Sequence, residues 1–283
     1  MAPQSASSRK ILESVCVMLL LVAVAGACRA EIAYVGPFGT GLALFVVDEV
    51  TSAARVVTTG PVDTAPAWSP DGTRIAFARW IGDAPDIFVV HRDGTGLVRL
   101  TDNPGQDVEP VWSPDGGSIA FLTERDGKSL VYVMDADGGN QQPFIGMPEG
   151  IASLDWSPDG TKIVFDRMVD YVYRIFVLDI ASGDIRELVG APGSKPCWSP
   201  DGKWIAFTGE TQIGVVGLDG SGLRWLTAQA GRSAHPTWSP DGLRVAYQSD
   251  DLGRDMICVV GVATGTFLRV ADVGTSPDWS PQQ

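Results

Sequence analysis

Apolar and polar residues alternate in short bursts along most of the chain. Five runs of one kind (IAFAR, IAFLT, IVFDR, IAFTG, VAYQS) each follow a PDG turn. Five of a second kind (IFVVH, VYVMD, IFVLD, IGVVG, ICVVG) come after a variable stretch. Both are short, rich in β-branched and aromatic residues, and bounded by Gly, Asp and Pro, which describes strands and not helices. A polar turn such as RDGTG, DADGG or LDGSG then leads to a last short strand, as in LVRLT or LRWLT. With the segment before the PDG turn, as in EPVWS, each unit holds four strands, A to D.

The units repeat with a marker Trp at 68, 112, 156, 198, 238 and 279, at intervals of 44, 44, 42, 40 and 41 residues. That period is one four-stranded propeller blade with its connections. The turn has a mechanism: Ser accepts at its first position, Pro presets φ, Asp suits the third, and Gly takes the left-handed position. Pro66, Pro110, Pro196, Pro236 and Pro277 stand two residues before their Trp, so Pro and Trp share a sheet face. Pro cannot donate to a ladder, which places this strand at an edge, here the one bordering a central channel. The Trp is then expected to pack between blades.

Counting strands gives the closure. The first B–C–D set (IAYVG, LFVVD, ARVVT) has no strand A before it, and the last strand A (SPDWS) has no B–C–D after it. The expected fold is therefore all-β: a six-bladed β-propeller of four-stranded antiparallel blades over residues 31–283. Its ring is closed by the C-terminal strand joining the N-terminal blade.

Residues 1–30 read differently. Arg9 and Lys10 precede an apolar run from Val15 to Ala25 and then the small residues of AGACRA, the three-part pattern of a secretory signal. Cleavage after Ala27 or Ala30 releases a periplasmic or otherwise exported protein. The alternative is lipidation at Cys28, which anchors the propeller close to the membrane. The body retains Cys197 and Cys258 in different repeats, expected as two buried thiols. A net charge of −13 argues against nucleic acid as a partner.

The repeats, most plainly VEPVWSPDGGSIAFLTERDG followed by VYVMDADGGN, resemble the β-propeller of the TolB-like family, named for the periplasmic component of the Tol–Pal envelope system. TolB carries an α/β domain ahead of its propeller, whereas here the first strand is expected at Ile32. The resemblance implies a monomeric, protein-binding scaffold of the cell envelope. Its partner would be an envelope protein such as a peptidoglycan-associated lipoprotein, docking on the channel face.

The residues themselves show little catalytic chemistry. There is no G-x-S-x-G elbow for a hydrolase. The two His, His91 at a turn and His235 before Pro236, lie in different repeats, and DADG at 135–138 lacks the later ligands of a calcium loop. No catalytic residue, metal or cofactor is expected.

Two groups remain as candidate binding residues. The loops between strands B and C carry Trp80, Arg125, Tyr171 and Tyr173, the aromatic and Arg types that anchor protein interfaces, and neighbouring blades bring them to one face. The positions three before the Trp (Glu109, Lys195, His235) and just before it (Asp155, Asp278) converge on the channel. These support the alternative of a small-ligand-binding or enzymatic propeller.

Overall fold

The computed structural model describes residues 30–188, 192–228, 231–250 and 253–281, the side chain of residue 126 excepted. The leader, Cys28 included, lies outside the described residues.

Six four-stranded antiparallel sheets are arranged in chain order. Blade 1 contains β1 (Glu31–Phe38), β2 (Gly41–Asp48) and β3 (Ala54–Val56). Blade 2 is β4 (Asp63–Trp68), β5 (Arg74–Ile81), β6 (Ala84–His91) and β7 (Val98–Arg99). Blade 3 is β8 (Asp107–Trp112), β9 (Ser118–Thr123), β10 (Leu130–Asp135) and β11 (Gln142–Pro143). Blade 4 is β12 (Ile151–Trp156), β13 (Lys162–Val169), β14 (Val172–Asp179) and β15 (Ile185–Glu187). Blade 5 is β16 (Ser194–Trp198), β17 (Trp204–Thr208), β18 (Ile213–Gly217) and β19 (Arg224–Trp225). Blade 6 is β20 (Ser233–Trp238), β21 (Arg244–Ser249), β22 (Met256–Gly261) and β23 (Phe267–Ala271).

The last strand, β24 (Thr275–Trp279), lies against β1 and completes blade 1 in the order β24-β1-β2-β3. Trp279 pairs with Ile32 and Asp278 with Ala33. The Ser280 N–H donates to the Glu31 carbonyl at 2.7 Å, while the Glu31 N–H donates to Ser280 Oγ at 2.9 Å. The unmatched strands at the two ends are thus partners, as the strand count requires.

One aromatic per blade sits at the same position of the second strand: Tyr34, Phe77, Phe121, Phe165, Phe207 and Tyr247, all buried. In blades 1 to 4 it meets an aromatic on the third strand, from Tyr34–Phe45 at 5.4 Å to Phe121–Tyr132 at 6.1 Å. The marker Trp packs outward onto the preceding blade. Trp68 buries itself among Val35, Leu44 and Val46 of blade 1 as well as Phe77 and Phe88 of its own. Trp279 does the same between Ile257 and Val259 of blade 6 and Ile32 of blade 1. Alternation along the strand thus supplies both faces of an inter-blade core.

The SPDG turn is more tightly wired than its propensities suggest. In all five copies the Ser hydroxyl donates to the Asp two residues on, at 2.5–2.7 Å. The same oxygen accepts the N–H five residues on, at 2.9–3.0 Å. The turn Gly has φ between 65° and 71° in every copy, where an L side chain is strained.

Ring closure gives the first prediction. Trp279→Ala removes a side chain that holds two blades together and leaves a cavity at the seam. Denaturant unfolding is expected to show a loss of about 3–5 kcal/mol. A loss below about 1 kcal/mol would mean the seam carries no more weight than a surface contact.

Candidate functional site

Six first strands converge on the axis, and in five of them the geometry departs from plain β structure at the same point. Ala65, Glu109, Lys195, His235 and Ser276, each just before a Pro, have φ between 48° and 53°. In four of these strands the ladder slips between the residue before that position and the one after the Pro, as between Thr64 and Ala67; β24 bulges against β1 between Ala33 and Val35. Ser153, followed by Leu154 instead of Pro, has no positive φ. A left-handed non-glycine residue costs about 1–2 kcal/mol. Five in register, all lining the channel, turn those side chains toward the axis while the Pro and Trp stay buried.

The strain is held by hydrogen bonds from the preceding blade. The Lys195 N–H donates to Asp166 Oδ2 at 2.8 Å, and the His235 N–H to Thr208 Oγ1 at 3.1 Å.

The cavity has a volume of about 300 Å³ and gathers all five channel candidates, Glu109, Asp155, Lys195, His235 and Asp278. They form two tiers. At the mouth, Lys195 Nζ meets Glu109 Oε2 at 2.8 Å, joining blades 3 and 5 past Ser153 of blade 4. His235 follows from blade 6. Burial first, and then the Lys195 charge, lowers its pKa, with Glu109 opposing. The Gln248 side chain beside the buried ring also works to raise it.

One tier deeper, residues next to the Trp bridge neighbouring blades. The Trp198 N–H donates to Asp155 Oδ2 at 2.8 Å, and the Trp68 N–H to Asp278 Oδ2 at 2.7 Å. Thr237 Oγ1 donates to Asp278 Oδ1 at 3.2 Å, and Cys197 Sγ to the Pro236 carbonyl at 3.0 Å. Burial pushes Asp155 up to about 7, assisted by the charge of Asp278 and offset by the Trp198 N–H. Burial likewise raises Asp278 to about 6, against its bonds to Trp68 and Thr237. The same burial, with both carboxylates nearby, lifts the Cys197 thiol well above its ordinary value. Cys197 and Cys258 are both thiols, but only Cys258 is fully buried, since Cys197 borders the channel. Among the described residues no group of three or more His, Cys, Asp or Glu is placed to hold a metal ion.

The four loop candidates are not equivalent. Arg125 folds back onto its own blade in the short turn Arg125–Gly127. Its guanidinium donates to Asp107 Oδ2 at 3.1 Å and Gln141 Oε1 at 2.6 Å, lies 4.8 Å from the Tyr132 ring, and is 12% exposed. A buried carboxylate one strand away captures it, so it joins no exposed patch with the aromatics.

Trp80 and Ile81 are exposed at the tip of blade 2. Tyr171 is 96% exposed at the tip of the blade 4 hairpin, with Met168 and Tyr173 partly exposed beside it. Asp170 and Tyr171 both have positive φ, 52° and 64°, as a two-residue hairpin loop demands; Asp suits the first position, whereas Tyr171 stands where such loops favour Gly. No hydrogen bond or ring contact joins Trp80, Arg125, Tyr171 and Tyr173 among the described residues.

Sequence reasoning missed the Asp63–Arg79 pair, bidentate at 2.6 and 2.9 Å and completed by Thr58. Its signal was an Asp five residues before Trp in blades 2 and 3 alone, Asp63 and Asp107.

The two carboxylates yield a pH prediction. An Asp titrates near about 3.9 when unfolded, so a folded value near 7 favours the native state most at low pH. Asp155 adds stability below about pH 4, and this is lost as pH rises through about 7. Asp155→Asn keeps an acceptor for the Trp198 N–H and removes the titration. Its melting temperature relative to wild type should rise from pH 5 to about pH 7 and level off above it, a comparison that cancels the opposite trend from His235. A flat difference would contradict the assignment.

Similarity to known proteins follows the same lines. The family pattern described as the TolB beta propeller domain matches residues 17–147 and 128–283. The chain is similar to the structure of TolB from Acinetobacter baumannii, with a TM-score of 0.81 at 22% identity over 94% of this chain and 70% of that one. It is also similar to putative TolB from Agrobacterium tumefaciens, with a TM-score of 0.70 at 24% identity, covering 89% and 92%. Oligogalacturonate lyase from Vibrio parahaemolyticus shares the fold more loosely, with a TM-score of 0.55 at 17% identity, covering 85% and 73%. No curated protein matches the sequence. With four-stranded blades, the WSPDG turn and two matches that together span residues 17–283, the chain belongs to the TolB β-propeller domain family.

Proposed function

We propose that the protein is an exported scaffold of the cell envelope that binds a partner protein across the channel mouth. The observation that carries this reading is the ring of strained residues before each Pro, which turns Glu109, Lys195 and His235 toward one opening. Left-handed non-glycine residues persist only where the surroundings enforce them, and they gather at functional sites. Exposed Trp80, Ile81, Met168, Tyr171 and Tyr173 stand at the hairpin ends of blades 2 and 4 and supply the apolar anchors that a polar ring lacks. Export is supported by the leader pattern of residues 1–30, and an envelope partner by membership of the TolB propeller family. The partner expected from that family is a peptidoglycan-associated lipoprotein. The lipid anchor at Cys28 is the alternative form of the same placement.

A second reading has its own observation. The cavity places Glu109 and Lys195 2.8 Å apart above two carboxylates with raised pKa, a compact polar set suited to a small ligand.

A crosslinked pull-down from envelope extract separates the two. The exported protein serves as one bait and a Trp80→Ala, Tyr171→Ala, Tyr173→Ala variant as another. Capture of a peptidoglycan-associated lipoprotein by the first and its loss with the second is the expected result. If neither bait retains an envelope protein, the scaffold reading fails, and ligand screening against Glu109→Ala and Lys195→Ala variants takes its place.

A further inference from the structure

In blades 1 to 4 an aromatic of the second strand meets one of the third, and in three of these blades a cation covers the pair. The Arg79 guanidinium of blade 2 stands 5.2 Å from the Phe77 ring and 5.4 Å from the Phe88 ring. Arg125 of blade 3 stands 5.5 Å from Phe121 and 4.8 Å from Tyr132. Arg167 of blade 4 stands 5.1 Å from Phe176. Arg79 and Arg167 occupy one position of the repeat, two residues after the second-strand aromatic. A guanidinium there is attracted by the negative face of the ring.

Blade 1 has the pair without the cap. Tyr34 and Phe45 stack at 5.4 Å, but the residue two after Tyr34 is Gly36. A Cβ added at Gly36 would stand 3.1 Å from the Phe45 ring and 3.4 Å from the Tyr34 ring, so the missing side chain is what leaves both rings uncovered. Gly36 has no positive φ, so the backbone itself does not call for glycine. Blade 5 also has a glycine at this position, Gly209, but there the Trp225 ring fills the space, 2.5 Å from where a Cβ would stand. In blade 1 the space is a groove of about 460 Å³, lined by Tyr34, Gly36, Phe45, Ser52, Arg269 and Asp272 among others.

Two further features suit a cation. Tyr34 is 5% exposed, yet its hydroxyl makes no hydrogen bond among the described residues, although a buried phenol usually finds a partner. Asp272 brings an exposed carboxylate to the groove wall. It holds Arg269 Nε at 3.1 Å, and among the described residues no cation stands over Tyr34 or Phe45, Arg269 included.

We propose that this groove binds the guanidinium of an arginine side chain from a partner polypeptide, which takes over Tyr34 and Phe45 the place that Arg79 and Arg167 take in their own blades. The planar cation lies on the rings, donates to the Tyr34 hydroxyl and shares the Asp272 carboxylate. A peptide arginine suits the site better than free arginine, whose α-carboxylate brings a negative charge to a protein carrying −13. The groove has no residue in common with the channel cavity, so the proposal stands apart from the scaffold reading.

NMR titration of the ¹⁵N-labelled protein with acetyl-Gly-Arg-Gly-amide, at about 0.15 M salt, tests it. Saturable shifts of the Gly36 and Phe45 amides are expected, with a Kd in about the millimolar range. The citrulline counterpart, which has the same shape without the charge, and free arginine should each bind about fivefold more weakly or worse. Gly36→Arg supplies a resident cap and Phe45→Leu removes a ring, and each should abolish the saturable shifts. Gly36→Arg should also melt no lower than wild type, because its new guanidinium covers the pair. No saturable shift up to about 20 mM peptide, or undiminished binding to both variants, would overturn the proposal. A citrulline peptide of equal affinity would overturn the cation, and free arginine of equal affinity the polypeptide source.

Discussion

No blade of this protein can bury its own marker Trp. The ring lies against the preceding blade, as Trp68 does on Val35, Leu44 and Val46, so each sheet completes the core of the next. Each indole removes on the order of 200 Å² from water, roughly 5 kcal/mol before ordering costs. This makes the ring a chain of dependencies with no natural end, and β24 closes it. The seam is built like the other junctions, with Trp279 between blades 6 and 1. What distinguishes it is that its strand comes from the far end of the chain.

The same constraint creates the channel. Trp and Pro must face the sheet packing, so the residues between and before them are left to line the axis. Pro disfavours the right-handed helical conformation in the residue before it. In five strands the residue before Pro is left-handed, with its side chain on the opening. Blade 4, with Leu154 in place of Pro, shows what happens without it. The polar character of the channel thus follows from the packing of the apolar residues. The elevated pKa values of Asp155 and Asp278 have the same origin, because carboxylates next to a buried Trp are desolvated with it.

The periphery is under weaker control. At the axis six strands crowd together, while at the rim each outer strand has one neighbour and varies freely in length and composition. This is where blades differ most, from the two residues of β11 to the five of β23. The loops vary for the same reason. Tyr171 takes a left-handed conformation at 96% exposure because the two-residue turn between β13 and β14 imposes it.

The repeat period, the strand alternation and the paired orphan strands determined the fold, blade number and closure, because each is a local pattern repeated until only one topology accommodates it. The channel candidates were legible for the same reason, since a fixed offset from Trp fixes the side of the strand. Tertiary structure alone decided what each of them meets. Glu109 and Lys195 pair past an intervening blade, and nothing local in the chain relates residues 109 and 195. Arg125 has the composition of an interface anchor, yet Asp107 on a neighbouring strand draws it inward. A side chain's type and sheet face follow from local sequence, whereas the partner that satisfies its charge is chosen by distance across the assembled ring.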